Sequence, residues 1–207
     1  MAGIEFALIA PILMVMTLGT IEFSRALIVH KRFQRAASMV GDLVTREKQL
    51  WPSTTADSSA TTTDAVNTLN GIALSVGHAM QPYSVSTFQF KVYQVWANMT
   101  SPTQTKVEWS YKSPIGAPGS NGTRGDPACA SPRSVDQGVL QGNGRAIIVE
   151  ATYTYSPLLK GLLPSLIHDM NWSDTMIMTP RDVPSVLFLP ALNNNNTWAS
   201  PSTAACQ

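Results

Sequence analysis

The chain's 207 residues are enough for one ordinary domain and an additional element, and 44% apolar residues can build a packed core. Charged residues make up only 13%, about half the share of an average soluble domain. Ser, Thr, Asn and Gln must therefore supply most of the polar surface, which is typical of exported proteins. A net charge of +1 argues against nucleic acid as a partner, because no strongly basic face is expected.

The first element is an uncharged apolar segment from Phe6 to Ile21. It is slightly shorter than the roughly 20 residues of an unaided transmembrane helix, and longer than the roughly 7–15 of a signal-peptide core. An acid, Glu5, stands at its start, where an unpaired carboxylate in lipid costs a few kcal/mol. Two explanations remain open: Glu5 lies at the headgroup level, or it pairs with a positive group such as the Met1 amine of a neighbouring copy.

The helical pattern continues beyond the apolar segment to about Gln49, ahead of Trp51-Pro52. A helix of this length extends roughly 70 Å, so half of it must be buried in lipid or among other helices. Glu22 and Arg25 are spaced to pair on its surface. Apolar and aromatic positions at spacings of three and four predict a narrow packing seam. The predicted seam comprises Phe23, Ala26, His30, Phe33, Ala37, Val40 and Val44.

The run from Gly3 to Ser38 resembles the N-terminus of the TadE-like proteins, which are minor pilins or pseudopilins of tight-adherence (Tad) type IV pilus systems. The resemblance rests on a dense pattern over about forty residues. The matching positions are Glu5, Phe6, Ala7, Pro11, Gly19, Glu22, Phe23, Arg25, Ala26, Ala36 and Ala37.

The resemblance implies a minor pilin that supports assembly or initiation of the pilus, surface adhesion and biofilm formation. A prepilin peptidase would cut the precursor after a glycine and leave glutamate fifth, which makes Met1 the expected mature terminus and Glu5 the residue that neutralises a neighbour's Met1 and sets axial register. The implied partners are other pilin subunits, major and minor, and the inner membrane before assembly. Residues expected in helix packing are Phe6, Ala7, Pro11, Gly19, Glu22, Phe23, Arg25 and Ala26.

The location expected from this resemblance is the bacterial inner membrane with a periplasmic head, followed by the extracellular pilus. The positive charges flanking the apolar segment lie after it, at Arg25, Lys31, Arg32 and Arg35. The positive-inside rule would place the head in the cytoplasm, so the pilin orientation depends on a basic leader in the precursor. The alternative function is a membrane-anchored periplasmic binding module that never enters a filament.

The rest of the chain, residues 51–207, is predicted to form an exported α+β head domain. Ser53–Thr63 has a linker composition, and Thr63-Asp64 can cap a helix over Ala65–Met80. Period-two alternation of β-branched and aromatic residues predicts an antiparallel sheet with one buried face, covered by the two helices. The predicted strands are Ser84–Trp96, Lys106–Lys112, with Val107, Trp109 and Tyr111 on one face, Arg145–Tyr155 and Thr175–Thr179.

A long segment between two of these strands, Ser113–Gly144, is dense in Gly, Pro, Asn and Ser and is predicted to be a loop that is functional or disordered. It contains Cys129, which in an oxidising compartment can form a disulfide with Cys206. Two unrelated free thiols are the alternative.

No catalytic motif is found in the sequence. The three histidines, His30, His78 and His168, lack metal-ligand spacing. The tripeptide from Arg124 to Asp126 is better explained by chance in a Gly-rich loop than by receptor binding. We therefore expect no enzyme activity, no cofactor and no metal.

Overall fold

The computed structural model describes residues 2–47, 50, 62–98, 101–117, 119, 122, 123, 125, 126, 130, 135, 140, 144–161, 167–181 and 186. It contains a long first helix, a second helix and a four-stranded antiparallel sheet. The α+β class and the long N-terminal helix predicted from the sequence are therefore confirmed. The elements in chain order are α1 (Ala2–Arg46), α2 (Thr62–Ala79), β1 (Gln89–Asn98), β2 (Ser101–Lys112), β3 (Arg145–Tyr155), a short 3₁₀ helix (Leu158–Gly161) and β4 (Met170–Met178).

Several element ends differ from those predicted. α2 begins at Thr62, inside the range predicted as linker. β1 begins only at Gln89, because the preceding residues form a turn in which the Phe88 amide donates to the Val85 carbonyl over 2.9 Å. β2 and β4 begin five residues earlier than predicted, since pairing with the neighbouring strand extends them beyond their alternating segments. The bounds of β3 agree with the prediction at both ends.

The strands are arranged in the order β2-β1-β3-β4, and both helices pack against one face of the sheet. Their shared core contains Phe33 and Val40 of α1, Val76 of α2, and Phe90 and Val149 of the sheet. The C-terminal half of α1 also approaches β4 closely: a Cβ atom added at Gly41 would lie 2.6 Å from the Met178 sulfur. This half of α1 is therefore an integral part of the head.

The predicted seam of α1 is correct over its C-terminal part and wrong at its start. Phe33, Ala37, Val40 and Val44 are buried, but Phe23 is 66% exposed. The reason is the side of the helix on which Phe23 lies: the head contacts α1 at Glu22 and Ala26, and Phe23 is rotated about 100° from Glu22 around the helix. Further buried positions that the seam omitted are Val29 and Ala36.

The prediction that the sheet has only one buried face is wrong. A second apolar cluster lies on the face away from the helices. It consists of Tyr93, Val95, Val107, Val135, Leu140, Ala146 and Ile148, with Ala130 beside it. Because Val135 and Leu140 come from the long segment between β2 and β3, that segment supplies the cover, and the Val107 amide donates to the Ala130 carbonyl over 2.9 Å.

The alternation predicted that Val107 and Trp109 share a face of the sheet, but they lie on opposite faces. A bulge in β2 explains the difference. Gln94 pairs with Trp109 and Val95 with Val107, so Glu108 is an extra residue and the alternation reverses there. The buried Glu108 carboxylate accepts hydrogen bonds from Gln94 Nε2 and, over 2.8 Å, from Arg145 Nε. The charge of this bulge residue is therefore paired inside the head.

Candidate membrane and assembly interface

The N-terminal half of α1 projects from the head as a free helix. From Gly3 to Ile28 no residue is buried, and Val29 is the first that is. Exposed large apolar side chains occur on every side of this half; they are Ile4, Phe6, Leu8, Ile9, Ile12, Leu13, Met14, Val15, Met16, Ile21, Phe23, Leu27 and Ile28. A helix that is apolar all round is stable only inside a membrane or among other helices.

The free half is suited to lipid in both length and hydrogen bonding. Residues 3–21, which precede the first contact with the head at Glu22, span roughly 28 Å at a rise of about 1.5 Å per residue, close to the roughly 30 Å of hydrocarbon in a bilayer. The hydroxyl groups of Thr17, Thr20 and Ser24 donate to carbonyls one turn earlier, over 2.6, 2.8 and 2.8 Å. These donors are thus satisfied within the helix, as an apolar environment requires.

The small residues expected to allow close helix packing are open to a partner. Ala7 is exposed, and a Cβ atom added at Gly19 would meet nothing within 4 Å. α1 continues as one helix through Pro11. The roles predicted for these positions, and for the exposed Phe6 and Phe23, concern contacts with other subunits and stay predictions.

Glu5 is exposed in the first turn of α1, at the far end from the head. Met1 lies outside the described residues, so the proposed pairing of Glu5 with a neighbour's amine stays a prediction. Glu22, the second acid of the free half, lies about 25 Å farther along the helix. Their separation excludes a shared carboxylate site.

Glu22 is held by the head at the point where α1 leaves it. The Tyr155 hydroxyl donates to Glu22 Oε1 over 2.5 Å, and the Leu158 amide donates to both carboxylate oxygens over 3.2 Å. Burial, together with the adjacent Glu22 carboxylate, raises the pKa of Tyr155 above its ordinary value. The expected Glu22–Arg25 pair is absent from the ion pairs of the described residues. Arg25 instead lies over the Tyr155 ring, 5.9 Å from its centroid.

An aromatic stack supports this junction. The rings of Tyr155 and Trp172 are stacked with centroids 5.2 Å apart, and Tyr153 lies 5.9 Å from Trp172. His30 of α1 meets the Trp172 ring edge-on at 4.8 Å. Ala26 packs on the same core. The sequence contained no signal for these contacts, because Glu22 and Tyr155 are separated by most of the chain.

A charged cluster on the sheet engages Asp126 of the Arg-Gly-Asp tripeptide. Lys91 Nζ lies 2.9 Å from Asp126 and 2.9 Å from Glu150, and the Tyr93 hydroxyl donates to Glu150 over 2.7 Å. Burial lowers the pKa of Lys91, but the two carboxylates outweigh it and raise that pKa above its ordinary value. Asp126 thus has a partner within the molecule, and the chance occurrence of the tripeptide stays a prediction.

Cys129 and Cys206 lie outside the described residues, so the disulfide stays a prediction. Within the described ranges, no three His, Cys, Asp or Glu side chains form a group that could hold a metal ion.

Comparison with known protein families relates the N-terminal part of the chain to one of them. Residues 2–42 match the family model described as TadE-like protein, a region that lies entirely within α1. The resemblance to TadE-like proteins is confirmed for this helix, and it associates the chain with Tad pili and with membrane anchoring through α1. No curated protein and no solved structure matches the chain.

Proposed function

We propose that the chain is a minor pilin, or pseudopilin, of a Tad-type IV pilus. The observation that carries the proposal is the free half of α1, which stands clear of the head with apolar side chains on all sides. A helix of this kind needs lipid before assembly and other helices afterwards. The TadE-like match over the same residues supports a pilus as the assembly concerned.

The proposed role is structural rather than enzymatic. Tad major pilins are little more than the helix, so a head of this size favours a minor subunit at the tip or in priming, with a part in surface adhesion and biofilm formation. In this proposal the head faces the periplasm while α1 is in the inner membrane. Protease treatment of spheroplasts tests the orientation: the head should be digested, whereas protection from the protease would place it in the cytoplasm.

Glu5 is proposed to neutralise the N-terminal amine of a neighbouring subunit and so to set the axial register. We expect Glu5→Ala to leave the head folded and the protein in the membrane fraction, but to remove it from sheared filaments. Because Glu5 is exposed in the first turn of α1 and contacts no described residue of the head, the loss would report assembly rather than folding. Glu47→Ala, immediately after the other end of α1, is the matched control and should assemble normally. Normal incorporation of Glu5→Ala would refute the proposed role.

N-terminal sequencing and intact mass of the native protein test the processing step. A chain that starts at Met1, with a glycine encoded immediately before it, supports cleavage by a prepilin peptidase. Met1 as the initiator, together with absence from filaments, would favour the anchored periplasmic binding module.

A further inference from the structure

The end of the head from which α1 emerges carries most of the exposed large apolar side chains found among the described residues of the head. Outside α1, the described residues include five exposed large hydrophobic side chains, of which Leu158, Met170 and Ile115 lie at this end. Met170 pairs with Tyr155 at the edge of the sheet, and Leu158 follows Tyr155 on the connection to β4. Ile115 precedes Gly116, whose amide donates to the Phe88 carbonyl just before β1.

The hydrogen bonds from the head to Glu22 fix the position of this surface along the axis of α1. The Leu158 amide lies against the Glu22 carboxylate, about 25 Å along the helix from Glu5. Since bilayer hydrocarbon is roughly 30 Å thick, Glu5 at one membrane face places Leu158 at the opposite headgroup boundary. The Leu158 amide and the Tyr155 hydroxyl satisfy the Glu22 carboxylate there, which reduces the cost of holding an acid at that depth.

The composition of the surface matches that boundary. Leu158 is 65% exposed beside Lys160, whose ammonium pairs with Asp169 over 2.5 Å. Tyr155 and Trp172, the residue types enriched at membrane interfaces, stack immediately above.

We propose that this end of the head, formed by Leu158, Met170 and Ile115, is a second membrane-contact surface that rests on the lipid leaflet from which α1 emerges. The inference rests on the proposed insertion of α1 in the membrane. Continuity with the apolar half of α1 favours lipid as the occupant, because the two surfaces meet at Glu22. Before assembly the head is thus held against the membrane at a set tilt. When the subunit is extracted into a filament, this surface must become exposed to water or be covered by a neighbouring subunit.

Photocrosslinking of the full-length protein in phosphatidylethanolamine–phosphatidylglycerol vesicles tests the contact. The photoreactive amino acid p-benzoylphenylalanine replaces Ile12, Leu158, Met170 or Ile177, one at a time, and lipid adducts are detected by mass spectrometry. Ile177 is the matched control, because it lies on the same strand as Met170 with nearly the same exposure, 38% against 40%, but about 23 Å farther along β4.

We expect lipid adducts at positions 12, 158 and 170 and none at 177. Adducts at 12 without adducts at 158 and 170 would overturn the second contact while leaving the membrane helix in place. Absence of adducts at 12 would overturn both, because α1 would not be inserted. A crosslink from position 158 to another protein copy, in place of lipid, would identify a neighbouring subunit as the occupant and refute the proposal.

Discussion

The two halves of α1 differ in composition and in their surroundings, since residues 6–21 carry no charge while Arg25, Lys31, Arg32 and Arg35 follow them. In the C-terminal half, buried residues recur on one side and meet the sheet and α2, while residues such as Arg35 stay exposed. In the N-terminal half, apolar side chains point in every direction and none is buried. One continuous helix therefore serves two environments, and the boundary lies between Glu22, which the head binds from outside, and Val29, which the core encloses.

The largest expected difference between the halves is in the effect of replacing phenylalanine by alanine on the stability of the head. Phe33→Ala removes a fully buried ring that contacts Phe88, Tyr153 and Trp172, and should lower the free energy of unfolding of the head by about 3–5 kcal/mol. Phe23→Ala removes a ring that is mostly exposed and should leave it nearly unchanged. Denaturant unfolding of the full chain in mild detergent measures both. Equal losses would show that the head encloses both positions.

Replacing one glycine in each half by leucine makes the same comparison, because the substitution adds side-chain volume. Gly41→Leu forces a side chain against Met178 and Val149, and should destabilise the head by about 1–3 kcal/mol. Gly19→Leu meets open space and should leave the head's stability unchanged, yet impair incorporation into filaments if Gly19 allows close helix approach. Thermal unfolding in detergent and filament shearing separate the two effects. Full incorporation of Gly19→Leu would refute the packing role.

The boundary between the halves is tested at Tyr155. Tyr155→Phe removes the hydroxyl bonded to Glu22 and should cost about 1–2 kcal/mol of head stability at neutral pH. The control is Tyr153, which lies on the same strand as Tyr155 and donates to the uncharged Ser84 carbonyl. Tyr153→Phe breaks this bond and should cost less. Equal effects would mean that the Glu22 carboxylate adds nothing to the bond.

The same contact predicts a dependence on alkaline pH. The pKa of Tyr155 is raised in the folded state by burial and by Glu22, while the pKa of an unfolded tyrosine is about 10. The stabilisation is therefore fully present below about pH 10 and is lost as the pH rises further, because the unfolded chain releases its proton more readily. Stability measured against pH should fall less steeply above this value in Tyr155→Phe. An unchanged slope would contradict the assignment.

The smallest effect is expected at the last turns of α1. Asp42 pairs with Arg46 and with Arg181, each over 2.8 Å, on a partly exposed surface. Asp42→Ala should therefore cost only about 0.2–1 kcal/mol, and added salt should reduce the difference from wild type. Urea unfolding at two salt concentrations measures this. A loss that is large and independent of salt would mean that the pair is buried.

Much of the architecture could be predicted because it depends on local pattern. The apolar segment from Phe6 to Ile21, the long helix and the bounds of β3 follow from composition and periodicity alone, as does the α+β class. The resemblance at Glu5, Glu22 and Arg25 predicted a TadE-like N-terminus. The partner of Glu22 could not be predicted, because nothing near it in the chain identifies Tyr155, which lies 133 positions away.

The sequence by itself determined that α1 must leave the water, since no arrangement of a single small head can cover a helix that is apolar on every side. Only the tertiary structure decided where the head begins on that helix. Phe23 and Phe33 both fall on the predicted seam, and they differ because the head packs on the side of α1 that carries Glu22 and Phe33, from which Phe23 is turned away. The bulge at Glu108 and the cover over the second face were likewise decided by pairing and packing between distant segments, which periodicity within a segment does not encode.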